Sequence, residues 1–194
     1  MSDLAPVAET LLKSLPDATA EEVLKPAPVH LWNPPLSGEL DMRIARDGTW
    51  YHEGRPIRRH RLARLFASIL RLEEDGRYVL VTPVERWLIR VEATPFVVIR
   101  ADVEGDADDQ CIHLTTNMDE SFWLDAAHPL QMLPVGVSGE LQPVVVVRDG
   151  LQARLHRNVY YQLAELSAPM QQEGVERFGV HSCGCFFPMD GQQS

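Results

Sequence analysis

The sequence contains no run of eighteen or so apolar residues, so no transmembrane helix is expected of it. Positive charge is in deficit: the formal net charge is -10 and the pI is about 5.1. That balance disfavours a dedicated nucleic-acid binder and a peripheral protein of anionic membranes, because both work through a positive field. Cysteine is scarce. Cys111, Cys183 and Cys185 are odd in number and two are nearly adjacent, a poor disulfide framework, and a reducing cytoplasm is the expected location. The opening Met1-Ser2-Asp3-Leu4-Ala5-Pro6 lacks the basic region and apolar stretch of a secretory signal. A Gly-rich phosphate loop and a dinucleotide-binding fingerprint are both missing, and no motif fixes a reaction or calls for a cofactor.

What is present is ordinary globular material, 45% hydrophobic and 24% charged over 194 residues, enough to bury a core without staples. Asp3 can cap a first helix whose stripe is Leu4, Val7, Ala8, Leu11, Leu12 and Leu15; Thr19 and Glu22 form a capping-box pattern for a second. Pro26, Pro28, Pro34 and Pro35 then enforce an extended strap. From about Arg59, the spacing of Leu62, Leu65, Phe66, Ile69 and Leu70 predicts the clearest helix of the chain. Short β-rich runs at hairpin spacing fill most of the rest, with a further helix from about Asn158. The fold class read from this pattern is α+β with mainly antiparallel sheets.

A repeat organises the reading. Ile44-Ala45-Arg46-Asp47-Gly48 matches Val146-Val147-Arg148-Asp149-Gly150. Leu62-Ala63-Arg64-Leu65 begins 14 positions after Gly48, and Leu163-Ala164-Glu165-Leu166 begins 13 after Gly150. This predicts a duplicated small β-α-β unit. The expected organisation is N-terminal helices and strap over 1–35, a first α+β repeat over 36–93 and a second over 94–194. A cleft is expected between the two repeats, and Arg46 and Arg148 are expected to hold their turns.

Several strings resemble a known family. They are His30-Leu31-Trp32-Asn33-Pro34-Pro35, Met42 to Trp50, Val81-Thr82-Pro83-Val84-Glu85, Thr115-Thr116-Asn117, His128-Pro129-Leu130 and Phe186-Phe187-Pro188. Together they look like the proteobacterial domain-of-unknown-function family 1285, over roughly residues 28 to 189. The resemblance implies a duplicated core with a pleckstrin-homology-like C-terminal half. It also implies a nucleotide-like ligand at the domain interface and a role in signal transduction. Cys183-Gly184-Cys185 is atypical of that family's ending.

The candidate chemistry is sparse. Trp32 offers a stacking face, and Asn33, Thr82, Glu85, Thr115, Thr116 and Asn117 offer directional hydrogen bonds to a ligand. Turn formation explains the same Asn-Pro and Thr-Pro strings without one. Arg58, Arg59 and Arg61 make the polar side of the first large helix basic, a weaker anion site; the plainer alternative is a solvated face paired with acids such as Glu73 and Glu74. His181, Cys183 and Cys185 alternate, so on a strand they would share one face and could take a thiophilic metal, with Cys111 or His113 as fourth ligand. Small-residue packing is the simpler account, and a Cys-His nucleophile drawn from the same residues has no basic neighbour to lower a thiol pKa. The acidic stretch from Asp102 fails the calcium-loop pattern, with Ala107 where glycine and His113 where glutamate is needed.

The expected function is therefore a non-enzymatic ligand-binding or signalling protein that takes a small anionic, nucleotide-like ligand between its halves. Two alternatives are a small hydrolase or transferase with Glu85 as general base, and an adaptor that docks a protein partner.

Overall fold

A computed structural model describes residues 26–106, 109–135, 140–172 and 174–190. The two helices expected before Pro26 lie outside the described residues. The chain divides into two compact units, Met1–Glu92 and Ala93–Ser194.

In the first unit the strap holds a single 3-10 turn, Val29–Leu31. It is followed by β1 (Leu36–Ile44), β2 (Trp50–His52), β3 (Arg55–Pro56), helix α1 (His60–Ser68), β4 (Leu70–Leu72), β5 (Tyr78–Val81) and β6 (Arg86–Val91). The strands form one sheet in the order β3-β2-β1-β6-β5-β4. Two antiparallel meanders, β1-β2-β3 and β4-β5-β6, are joined where β1 runs parallel to β6. α1 connects the meanders. It buries Ala63, Leu65, Phe66 and Ala67 against the sheet, and the Phe66 ring stacks on Trp50 with centroids 6.1 Å apart. Trp50 and Phe66 are 1% and 0% exposed, so each contributes about 2–3 kcal/mol of burial to this core.

The second unit contains β7 (Phe96–Glu104), β8 (Cys111–Thr116), β9 (Ser121–Trp123), β10 (Leu130–Val135), β11 (Glu140–Arg148) and β12 (Leu151–Leu155), then helix α2 (Arg157–Glu165) and β13 (Ala168–Gln172), β14 (Val175–Ser182) and β15 (Cys185–Pro188). Six strands form a sheet in the order β10-β11-β12-β7-β8-β9, and the last three form a small antiparallel sheet. Again two meanders meet at one parallel pair, here β12 with β7. Ile112, Leu114 and Thr116 face inward from β8 while Cys111, His113 and Thr115 are half-buried, the period-2 pattern of a sheet with one covered face.

The fold is thus α+β with two similar six-stranded sheets, but the repeated unit differs from the expected one. What recurs is a pair of meanders, and the helix occupies different places: between the meanders in the first unit, after the second meander in the other. The Arg-Asp-Gly strings are likewise out of phase, lying between β1 and β2 in one sheet and between β11 and β12 in the other. Their turns differ too. Asp149 and Gly150 both have positive φ (45° and 75°) in a two-residue hairpin turn. Around Asp47 only Gly48 does (85°), and the loop closes through the Ala45 N–H to the Thr49 carbonyl at 2.9 Å. Arg148 is bonded to a carboxylate, but one from a different turn: Glu120, between β8 and β9, at 2.9 Å.

Near the first turn, Glu92 accepts the backbone N–H of Arg46 and the guanidinium of Arg43, and these hold its carboxyl below the usual range.

The cysteines depart most from expectation. Cys111 and Cys183 form a disulfide, and Cys185 is a free, half-buried thiol. The bond ties the β14–β15 turn to the start of β8. Around it the Cys183 N–H donates to the Gln110 carbonyl (2.8 Å), Gln110 Nε2 donates to the His181 carbonyl (2.6 Å), and the Ile112 N–H donates to the buried Ser182 Oγ (2.9 Å).

Candidate functional site

The first unit carries a cleft of about 580 Å³ between the strap and the β4–β5 hairpin, lined by His30, Trp32, Asn33, Arg71, Leu72, Glu73, Glu74 and Asp75. It exists because Arg71, on β4, reaches back to the strap. Its Nη1 donates to the carbonyls of Val29 (2.9 Å) and Trp32 (2.6 Å), while Nε and Nη2 donate to Glu73 Oε1 (3.0 and 2.6 Å). Glu73 also accepts Arg86 Nη1 at 3.3 Å. A fixed hydrogen bond from the Ala27 N–H to the Ser68 carbonyl anchors the strap at the C-terminal end of α1. The strap's prolines remove donors and set an extended path, so its free carbonyls are the natural acceptors for one guanidinium fork.

Inside the cleft Trp32 is half-buried, and His30, Asn33 and Glu74 are exposed. Asp75 is bound by Arg77. The Arg77 side chain, then its backbone N–H, hold that carboxyl below its usual range. The one cation of the lining is therefore spent on the fold, and the groups left to meet a ligand are an indole face, an amide, an imidazole and the Glu74 carboxylate. That set suits stacking and directional hydrogen bonding better than neutralisation of an anion.

Of the ligand-binding residues expected from sequence, the structure places Trp32 and Asn33 in this cleft. Thr82 and Glu85 build the β5–β6 turn: the buried Thr82 Oγ1 accepts the N–H groups of Val84 and Glu85, and the Thr82 N–H donates to the Glu85 carbonyl. The Glu85 side chain is half-buried. Thr115, Thr116 and Asn117 sit at the β8–β9 turn of the second unit. There Thr116 Oγ1 accepts from Met118 and Glu120, and Asn117 Oδ1 accepts the Val97 N–H at 2.9 Å, so the turn-forming account covers them.

His181 ends up on β14, but Cys183 is in the turn with φ 49° and Cys185 begins β15, so the three do not alternate along one strand. With the Cys183 sulfur bonded to Cys111, no thiolate is offered there. Among the described residues no three His, Cys, Asp or Glu side chains gather to hold a metal ion.

Arg58, Arg59 and Arg61 precede and open α1, at the end of that helix remote in sequence from β4. All three are exposed, and their expected acidic partner Glu73 is taken by Arg71 and Arg86. Arg59 is the N-cap residue, with extended φ and ψ (-80°, 101°) and no side-chain capping bond. Replacing it with an acceptor should help the helix. Arg59→Asp is expected to raise stability by about 1 kcal/mol, read from the urea midpoint.

Sequence reasoning does not place Arg71, Glu74 or Asp75 in a cleft: it takes Arg71 for the basic side of the first large helix and Glu74 for one of its acidic partners, and it does not single out Asp75. They follow the helical stripe directly and carry no motif, and only the pairing of β4 with β5 brings them under the strap.

Models of two family domains match the chain. The domain of unknown function (DUF1285), N-terminal domain, matches residues 27–94, and the protein of unknown function (DUF1285), C-terminal domain, matches residues 95–189. The chain belongs to the DUF1285 family. Among solved structures, a DUF1285 family protein from Silicibacter pomeroyi DSS-3 is 42% identical, with a TM-score of 0.77 over 88% of this chain and 94% of that one. A second DUF1285 family protein, from Shewanella baltica OS155, is 24% identical, with a TM-score of 0.50 over 65% and 91%, and shows the fold alone. No curated protein matches the chain. The family boundary at 94/95 falls beside the division of the chain at Glu92, so the cleft belongs wholly to the N-terminal family domain. Among the described residues no helix is long and apolar enough to cross a membrane.

Proposed function

We propose that this DUF1285 protein is a non-enzymatic ligand-binding protein of the signalling kind, and that its N-terminal unit receives a small planar ligand in the cleft under the strap. The observation that carries the reading is the convergence of Trp32 and Asn33 with the Glu74 carboxylate on one concave surface of ligand size. An anionic, nucleotide-like ligand remains part of the proposal only through its planar ring, which Trp32 would stack, since Arg71 has its donors committed. The pleckstrin-homology-like character of the C-terminal half also belongs here, supported by a six-stranded sheet followed by one helix.

The test is a thermal-shift screen over nucleosides, nucleotides and signalling dinucleotides, with tryptophan fluorescence alongside. A ligand at a hundred times its dissociation constant adds about 2.7 kcal/mol of stability. The shift should vanish in Trp32→Ala, whose own folded state changes little because the ring is half-exposed. No shift across the panel with folded protein would remove the reading. Product formation that Glu85→Gln abolishes would replace it with the hydrolase alternative.

A further inference from the structure

The arginines of this chain are treated in two ways. Eight stand in ion pairs: Arg43 with Glu92, Arg71 and Arg86 with Glu73, Arg77 with Asp75, Arg90 with Asp41, Arg100 with Asp102, Arg148 with Glu120 and Arg177 with Asp190. Arg58, Arg59 and Arg61 are exposed, and their side chains have no hydrogen bond or ion pair among the described residues. Nor does the sequence around them supply a partner. Between Glu53 and Glu73 there is no carboxylate, while Arg55, Arg58, Arg59, His60, Arg61, Arg64 and Arg71 all fall in that interval.

The placement works against local stability. The first turn of α1 has no acidic residue, and positive charge there opposes the helix dipole. A local rule broken without a compensating contact marks a place selected for something other than the fold.

The chain also separates its charge. Residues 27–92 hold eleven arginines against nine carboxylates, and residues 93–194 hold five arginines against fourteen carboxylates. On the second unit Glu104, Asp106 and Asp109 are exposed and make no side-chain hydrogen bond or ion pair among the described residues. We infer that Arg58, Arg59 and Arg61 form a docking surface for a second copy of this chain, which presents Glu104, Asp106 and Asp109 of its C-terminal unit.

The chemistry favours that occupant over an extended polyanion. Between Leu36 and Val84 no large apolar side chain among the described residues is exposed, so the patch has neither a wedge for a lipid surface nor an aromatic for nucleobases. Arginine forks match carboxylate geometry, and a second copy supplies exposed carboxylates at Glu104, Asp106 and Asp109. The contact joins different patches on the two copies, so it is heterologous and adds copies head to tail.

Sedimentation velocity of the full chain tests this. In about 0.01 M salt, where charges reach across about 30 Å, the mass should rise with concentration above 21.9 kDa; in about 1 M salt, where the reach is about 3 Å, it should return to the monomer. Two variants, R58E/R59E/R61E and E104R/D106R/D109R, should each stay monomeric in low salt. Mixed together they should associate one to one, because each now carries a single sign on both patches. All six positions are exposed, and far-UV circular dichroism checks that both variants fold. A wild-type chain that is monomeric in low salt overturns the proposal, as does a triple variant that associates as well as wild type. A monomer whose arginines instead retain duplex DNA or anionic vesicles also overturns it, by giving the patch another occupant.

Discussion

Reducing the Cys111–Cys183 disulfide is expected to lower the stability of the C-terminal unit by about 4 kcal/mol. The bond closes a loop with a sequence separation of 72, and the entropy removed from an unfolded chain by a loop of that size corresponds to roughly 4.4 kcal/mol at room temperature. The folded state should change much less. Three hydrogen bonds through Gln110, Ser182 and Cys183 still seat the β14–β15 turn on β8 when the sulfurs part. The loss therefore acts through the unfolded ensemble, and for a unit of about a hundred residues it should shift the midpoint by roughly 15–30 °C. Cys183→Ser should reproduce the effect of reductant and be insensitive to it. Cys185→Ser should leave the midpoint near wild type, since that thiol is outside the bond. Three free thiols in the oxidised wild-type chain, or a Cys183→Ser midpoint equal to wild type, would refute the assignment.

The cysteine pair shows why some of this molecule was readable from its sequence and some was not. Local periodicity is visible in one dimension, and it located the start of α1 by the residues that face inward. It failed at the end of α1. Ile69 and Leu70 continue the helical stripe, yet Ile69 is the C-cap and Leu70 pairs with Leu80 across β4 and β5. Tertiary pairing overrode a pattern both structures could satisfy. The Arg-Asp-Gly repeat misled for a related reason. A tripeptide can state that the chain turns, but not which strands of a sheet the turn joins. The disulfide depends on two residues far apart in sequence, so an odd count of cysteines carried no information about it. In the cleft, Trp32 and Asn33 were legible as ligand chemistry because their side chains announce it. Arg71 was not, because its partners on the strap are backbone carbonyls, which every residue possesses.

That hidden role makes Arg71→Ala the variant that should most damage the N-terminal unit and its cleft together. Arg71 is 15% exposed, and its fork holds two strap carbonyls and Glu73 at once. Truncation leaves both carbonyls without this donor and leaves Glu73, itself 22% exposed, with Arg86 alone at 3.3 Å. Hydrogen bonds to charged groups contribute about 1.5–3 kcal/mol, and because water reaches this site in part, the expected loss is about 2–3 kcal/mol. The structural consequence is specific. Without the bond to its carbonyl, Trp32 is no longer fixed opposite the β4–β5 hairpin, so any ligand-induced thermal shift should fall with stability. Arg71→Lys should recover only part of either, because an ammonium cannot span two carbonyls and a carboxylate in one plane. Glu74→Gln separates the two effects: Glu74 lines the same cleft but is exposed and has no side-chain partner among the described residues, so the urea midpoint should stay put while ligand affinity changes. If Arg71→Ala keeps its midpoint within about 0.5 kcal/mol, a range usual for surface substitutions, the strap is held by other means. The cleft would then not depend on this residue.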